Sequence, residues 1–147
     1  MFRKIISTSS SFATVPLRLA LTAVFFAHGA GKVFGLFGGP GLNNFVHSGP
    51  APFAFMRPAW LWWGAAAISE LLGSVLVFFG FLTRVGAFLL ACTMLTAVIG
   101  VHWPAGFFAN KGGYEYPMAL FAMALALLIA GGGFASVDRG LSGRRRR

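Results

Sequence analysis

The sequence predicts an all-α, polytopic membrane protein: a single four-helix bundle with its N- and C-termini in the cytoplasm. Hydrophobic residues make up 57% of the 147 residues and charged ones only 10%, at a mean hydropathy of +0.77. So few polar side chains cannot cover the surface of a soluble domain. Four apolar stretches of bilayer-spanning length, at about 15–37, 58–80, 83–101 and 116–131, fill most of the chain. With the N-terminus inside, nine of the twelve Lys and Arg residues fall inside: Arg3, Lys4, Arg18, Arg84, Arg139 and Arg144 to Arg147. Only Lys32, Arg57 and Lys111 fall outside, so the positive-inside rule sets the orientation. The remaining segments are too short for a second domain, and residues 1–147 read as one transmembrane unit with a basic tail at 139–147.

The first stretch carries Arg18, His28 and Lys32, which fall on one helical stripe, with Gly29, Gly31 and Gly35 allowing close approach of a second backbone. Its basic start and the small residues Ala27 to Ala30 resemble a secretory signal, but the apolar run continues to Phe37, so it reads as a retained helix. Gly38, Gly39, Pro40 and Gly41 then end the helix, and the loop to Arg57 is long enough to cap the outer face. The second stretch starts near Pro58 with Trp60, Trp62 and Trp63, the aromatic belt of a head-group boundary, and holds Glu70 near its middle. Gly80 to Arg84 is a tight turn that makes the second and third helices a hairpin anchored by Arg84. The third stretch ends at His102, and the polar segment Gly106 to Pro117 leads into the fourth.

Ionisable residues at bilayer depth are expensive, about 2.5 to 3.5 kcal/mol each, and therefore mark function or pairing. At about 1.5 Å of rise per residue, His28 and Glu70 share a level near the midplane and form the expected central pair, with Arg18 as the competing partner of Glu70. Lys32 lies nearer the outer boundary and is expected to pair with Glu115. Arg18 and Arg84, near helix ends, are expected to snorkel to the interface. The candidates for chemistry are His28, Lys32 and Glu70; His102, Asn110, Tyr114 and Glu115 are candidate substrate-binding residues at the outer mouth. Arg18, Arg84, Gly39, Gly41, Gly113 and Pro117 are assigned structural roles.

Other function classes find no support. The net charge of +9 sits mostly in tails beside apolar helices, which suits anionic lipid head groups rather than nucleic acid. Cys92 is the single cysteine and reads as a small packing residue, so the chain forms no disulfide or CxxC pair of its own. No metal-ligand spacing and no nucleotide-binding glycine motif occurs, and His28 and His102 differ in depth, which argues against a shared haem.

Several of these residues together resemble the DoxX family of small bacterial membrane proteins. They are an arginine opening the first helix, His28-Gly29, Lys32, Phe37 to Gly41, Glu70 with Gly73 and Gly80, Leu82-Thr-Arg84, Gly106-Phe-Phe and Gly112 to Pro117. The resemblance covers residues 17 to about 131. It implies a four-helix protein of the bacterial inner membrane associated with oxidoreductase systems, such as the membrane subunit of a thiosulfate:quinone oxidoreductase or a membrane protein linked to superoxide dismutase and a sulfurtransferase in oxidative-stress defence. Two readings follow. In one, the chain is a quinone-interacting or proton-handling accessory subunit with a quinone as its cofactor, none being intrinsic, and a soluble redox or sulfur-transfer enzyme as electron partner. In the other, it is a non-catalytic scaffold that docks such enzymes, as a homo-oligomer or alone.

Overall fold

The computed structural model describes residues 6–143. Arg3, Lys4 and Arg144 to Arg147, six of the nine residues behind the orientation argument, lie outside the described residues. Within them all regular structure is helical: α1 (Thr14–Phe34), short α2 (Gly41–Val46), α3 (Ala59–Phe79), α4 (Thr83–Thr96), α5 (Glu115–Ala130) and α6 (Val137–Gly143). A π-helical turn, Ala97–His102, prolongs α4. Three helical runs are long and apolar enough to cross a membrane: α1, α3 and the run Thr83–Ala105. α5 is equally apolar but has 16 residues, a rise of about 24 Å.

Glycines set the helix ends. α1 stops three residues short of the expected Phe37 because Gly35 turns left-handed, φ 74, and donates its N–H to Gly31 at 3.0 Å. α3 ends where Gly80, φ 63, donates to Val77 and Phe81 donates to Leu76, each at 3.1 Å, closing a Schellman motif.

α1 packs on α3, α3 on α4 and α4 on α5, and α5 closes back on α1 around a core of Leu21, Phe25, Val77, Leu90 and Leu127. The tightest approaches use glycine. A Cβ on Gly29 would stand 2.6 Å from the Leu71 nitrogen, and one on Gly73 would stand 2.9 Å from Leu90 Cγ. Lipid tails supply no hydrophobic drive for helix association, so such close backbone contact is a main source of packing energy.

One end of the molecule gathers both ends of the described chain. Ser9 donates to Ala130 at 2.9 Å and Phe134 to Ser11 at 3.1 Å. Here Arg18 does not snorkel: it is 6% exposed and turned into the protein. It donates to the carbonyls of Val77 (2.8 Å), Phe78 (2.6 Å), Gly132 (3.1 Å) and Ala135, and does not approach Glu70. The reason is local, since the last carbonyls of α3 lie beyond its regular hydrogen-bond ladder, Val77 taking only the Gly80 N–H from the backbone, and a buried guanidinium supplies further donors. Arg84 does the same for α5, donating to Leu128 at 2.7 Å and Ile129 at 2.8 Å. Asp138 supplies the opposite charge: its carboxylate accepts from the Leu82 and Thr83 amides and from the Thr83 hydroxyl at 2.8 to 2.9 Å, capping α4.

The Gly29 contact yields a stability test. Gly29→Ala is expected to cost about 1–3 kcal/mol through overpacking against α3. Gly64→Ala, whose new methyl would meet only Val46 at 3.7 Å, is expected to be neutral or stabilising. Thermal unfolding followed by circular dichroism in detergent checks both, and equal midpoints for the two variants would sink the close-approach account.

Candidate functional site

At the end opposite residues 9–11 and 130–134 the helices part around a cavity of about 500 Å³. Its walls are mostly apolar, with Phe25, Phe45, Trp62, Trp63, Met94 and Leu120 prominent. The chemistry-bearing side chains on the walls include His28 and Lys32 from α1, Glu70 from α3, and Thr93, Thr96 and His102 from α4 and its π turn.

The central polar contact is not the expected one. Lys32 Nζ lies 2.6 Å from both Oε1 and Oε2 of Glu70, so the carboxylate pairs with Lys32 rather than with His28 or Arg18. Counting levels by Cα rise misplaces the two groups because helical side chains lean toward the N-terminus of their own helix. α1 and α3 run antiparallel, so Lys32 leans back toward the middle of the bundle while Glu70 leans out toward it, and the long lysine stem spans the rest. Glu70 is 3% exposed and the Lys32 side chain 21%, so the charge pair lies in the cavity wall with its lysine side still accessible. His28, one turn before Lys32, lines the cavity without an ion-pair partner among the described residues.

The loop after α1 folds over this pair. Gly39 packs on the Gly31 backbone so closely that no Cβ fits between them, and Gly41, φ 72, starts α2. α2 then brings the Phe45 ring to 5.1 Å from Lys32 Nζ. The Trp63 ring meets Phe45 edge-on at 5.6 Å, and its indole N–H donates to the Gly49 carbonyl at 3.1 Å, tying the loop to α3. A cation–π contact of this kind holds the ammonium without removing its charge. His47 stays outside, bonded to the Asn43 carbonyl.

The segment before α5 closes on itself. Glu115 Oε1 accepts from the Ala109 amide at 2.6 Å, so Glu115 holds its own loop rather than Lys32. Tyr114 and Glu115 donate backbone N–H groups to Gly106 and Phe107 at 3.0 and 2.9 Å, and Tyr114 stacks on Trp103 at 4.9 Å. A Cβ on Gly113 would strike this folded strand of loop, and Pro117 is buried in the first turn of α5. Asn110, Tyr114 and Glu115 are not on the cavity wall; Ala109, Gly112, Gly113, Tyr116 and Pro117 are. His102 is brought in by the π turn, where its Nδ1–H donates to the Gly112 carbonyl at 2.7 Å.

Sequence reasoning missed part of the wall. Trp62 and Trp63 serve the cavity besides marking a boundary, and Cys92 is exposed on the wall instead of packed. The available signal was the patch Cys92, Thr93 and Thr96, which breaks the apolar pattern of α4 on adjoining positions.

The ion pair makes a direct prediction. Lys32→Met leaves a buried carboxylate unpaired and is expected to destabilise the fold by about 3 kcal/mol, as is typical of half-broken buried pairs. The double variant Lys32→Met, Glu70→Met is expected to recover most of that loss. A double-mutant cycle on unfolding midpoints checks the coupling, and additive effects would show that the two charges act independently.

Comparisons with known proteins agree with this architecture. The DoxX family model matches residues 13–103. The chain is 33% identical over 130 residues to a Bacillus subtilis (strain 168) protein named "Putative oxidoreductase CatD", covering 88% of this chain and 87% of that one. It is 34% identical over 88 residues to an uncharacterized Haemophilus influenzae protein, covering 59% of this chain and 58% of the relative. No solved structure matches it. The family match spans all three long helices that cross or border the cavity, and the chain belongs to the DoxX family.

Proposed function

We propose that this membrane protein crosses the bacterial inner membrane four times, with both termini cytoplasmic, and serves an oxidoreductase system as an accessory subunit that binds a quinone ring in the cavity. The observation that carries the reading is the chamber of about 500 Å³, apolar on most of its wall and bordered by the Lys32–Glu70 pair with His28 one turn away. Such a chamber suits an apolar ring with a few polar points, since ligand sites are mostly apolar with sparse, convergent polar groups. Lys32 would polarise a ring carbonyl, and His28 and Glu70 would exchange protons with the ring oxygens. Electrons would come from a soluble redox or sulfur-transfer partner. The name of the Bacillus subtilis relative, a putative oxidoreductase, supports the redox setting.

The scaffold reading keeps one observation in its favour. Lys32 and Glu70 satisfy each other directly, which is also what a purely packing role needs.

For topology, α5 would serve as the fourth, shorter crossing, and the meeting of residues 9–11 with 130–134 would put both chain ends on the cytoplasmic side. In a Cys92→Ser background, single cysteines at positions 10 and 142 are expected to resist a membrane-impermeant thiol reagent in intact cells, and one at 111 to react. Labelling of 10 or 142 alongside 111 would overturn the orientation.

For the ligand, a short-chain quinone titrated into purified protein is expected to quench the fluorescence of Trp62 and Trp63 saturably. Lys32→Met, in the Glu70→Met background that keeps the fold, is expected to weaken binding about tenfold through loss of a charged hydrogen bond. Absence of saturable binding by the wild type would transfer the case to the scaffold reading.

A further inference from the structure

The hydrogen-bonding character of the cavity wall is lopsided. On the α4 side, the Thr93 hydroxyl donates to the Leu89 carbonyl and the Thr96 hydroxyl to the Cys92 carbonyl, both at 3.0 Å. Their protons are committed, so what these oxygens offer the cavity is lone pairs. His102 is set in the same sense. A carbonyl oxygen cannot donate, so the 2.7 Å contact with Gly112 requires the proton to sit on Nδ1, and the neutral ring then carries a lone pair on Nε2. Nothing among the described residues bonds that nitrogen. Thr93, Thr96 and His102 all line the cavity, so this wall presents three acceptors beside one weak donor, the Cys92 thiol. Donors stand on the other walls: the Trp63 indole N–H is held by Gly49, while Lys32 keeps one ammonium N–H beyond the two directed at Glu70 and the Trp62 indole N–H also lines the cavity. His28, Ser69 and Tyr116 can each donate or accept and do not discriminate.

We infer that the cavity selects a ring bearing hydroxyl groups, a phenol or the reduced, hydroquinone form of a quinone, because Thr93, Thr96 and His102 on its α4 wall accept hydrogen bonds and the Cys92 thiol beside them is only a weak donor. A carbonyl-only ring leaves these acceptors unpaired, whereas a ring hydroxyl donates to whichever of them it reaches. This inference rests on the cavity being a ring-binding site, as proposed above, and adds which oxidation state it holds.

The test uses an alkylated hydroquinone and its dimethyl ether, which has the same ring and cannot donate. Wild-type protein is expected to bind the hydroquinone about tenfold more tightly than the ether, the effect of one or two well-made hydrogen bonds. In His102→Phe, and separately in Thr93→Val with Thr96→Val, that ratio is expected to fall to about twofold while binding of the ether persists. The ether's extra methyl groups are common to every variant, so the change in ratio isolates the hydrogen bonds. Binding of both rings with equal affinity by the wild type, or an unchanged ratio in the variants, overturns the accepting wall and leaves the ring site standing. Failure of the wild type to bind either ring overturns both.

Nitrogen-15 spectra of histidine-labelled wild-type protein decide the same point without a core variant, since the chain has 3 histidines and each is assignable by substitution of the other two. The expected result is an Nδ1-protonated His102 whose Nε2 resonance moves with hydroquinone and not with the ether. An Nε2-protonated ring in the free protein rejects the inference.

Discussion

The contact between α1 and α3 joins the backbone packing to the chemistry. Gly29 lets α1 approach α3 until the Leu71 backbone sits where any other residue's Cβ would be, and this proximity brings the Lys32 ammonium within 2.6 Å of both oxygens of Glu70. Without that approach the two charges would face an apolar interior separately, at a cost of several kcal/mol each. With it, they form one neutral unit that the loop residue Phe45 covers and that borders the cavity. The glycine, the ion pair and the cap therefore depend on each other in sequence from backbone to surface.

The end that gathers residues 9–11 and 130–134 solves a different problem with the same currency of buried charge. The four long helices α1, α3, α4 and α5 each end or begin there, and helix ends leave backbone groups without partners in their own helix. Arg18 and Arg84 supply donors to the orphan carbonyls of α3 and α5, and Asp138 supplies an acceptor to the orphan amides of α4. In an apolar environment every such group must find a partner inside the protein. This explains why Arg18 and Asp138 are buried in polar company, with Arg84 half-buried beside them.

The two ends thus divide the work. The capped end is densely packed and hydrogen-bonded, down to the fully buried Thr83 and Asp138. The other end is open, with a folded loop, a short α2 and a π turn arranged around a chamber. A π turn widens the helix by shifting its hydrogen bonds one residue on, and such turns recur at functional sites. Here it carries His102 to the wall with one ring nitrogen already fixed by Gly112.

Hydropathy and glycine placement made the helices and their turns legible from the sequence, because burial in lipid selects long apolar runs and left-handed helix ends select glycine. That Lys32 and Glu70 need partners was legible for the same reason, charge being costly inside such runs. Which of them touch was not. Level counting along Cα positions suggested Glu70 with His28 and Lys32 with Glu115, whereas side-chain lean and the Gly29 contact unite Lys32 with Glu70, and Glu115 turns to its own loop. Asp138 illustrates the same limit: nothing local to it announces that it caps a helix starting 55 residues earlier. The composition of a helix is a local property that sequence determines by itself, while the meeting of side chains from different helices depends on register and crossing distance, which only the packed structure decides.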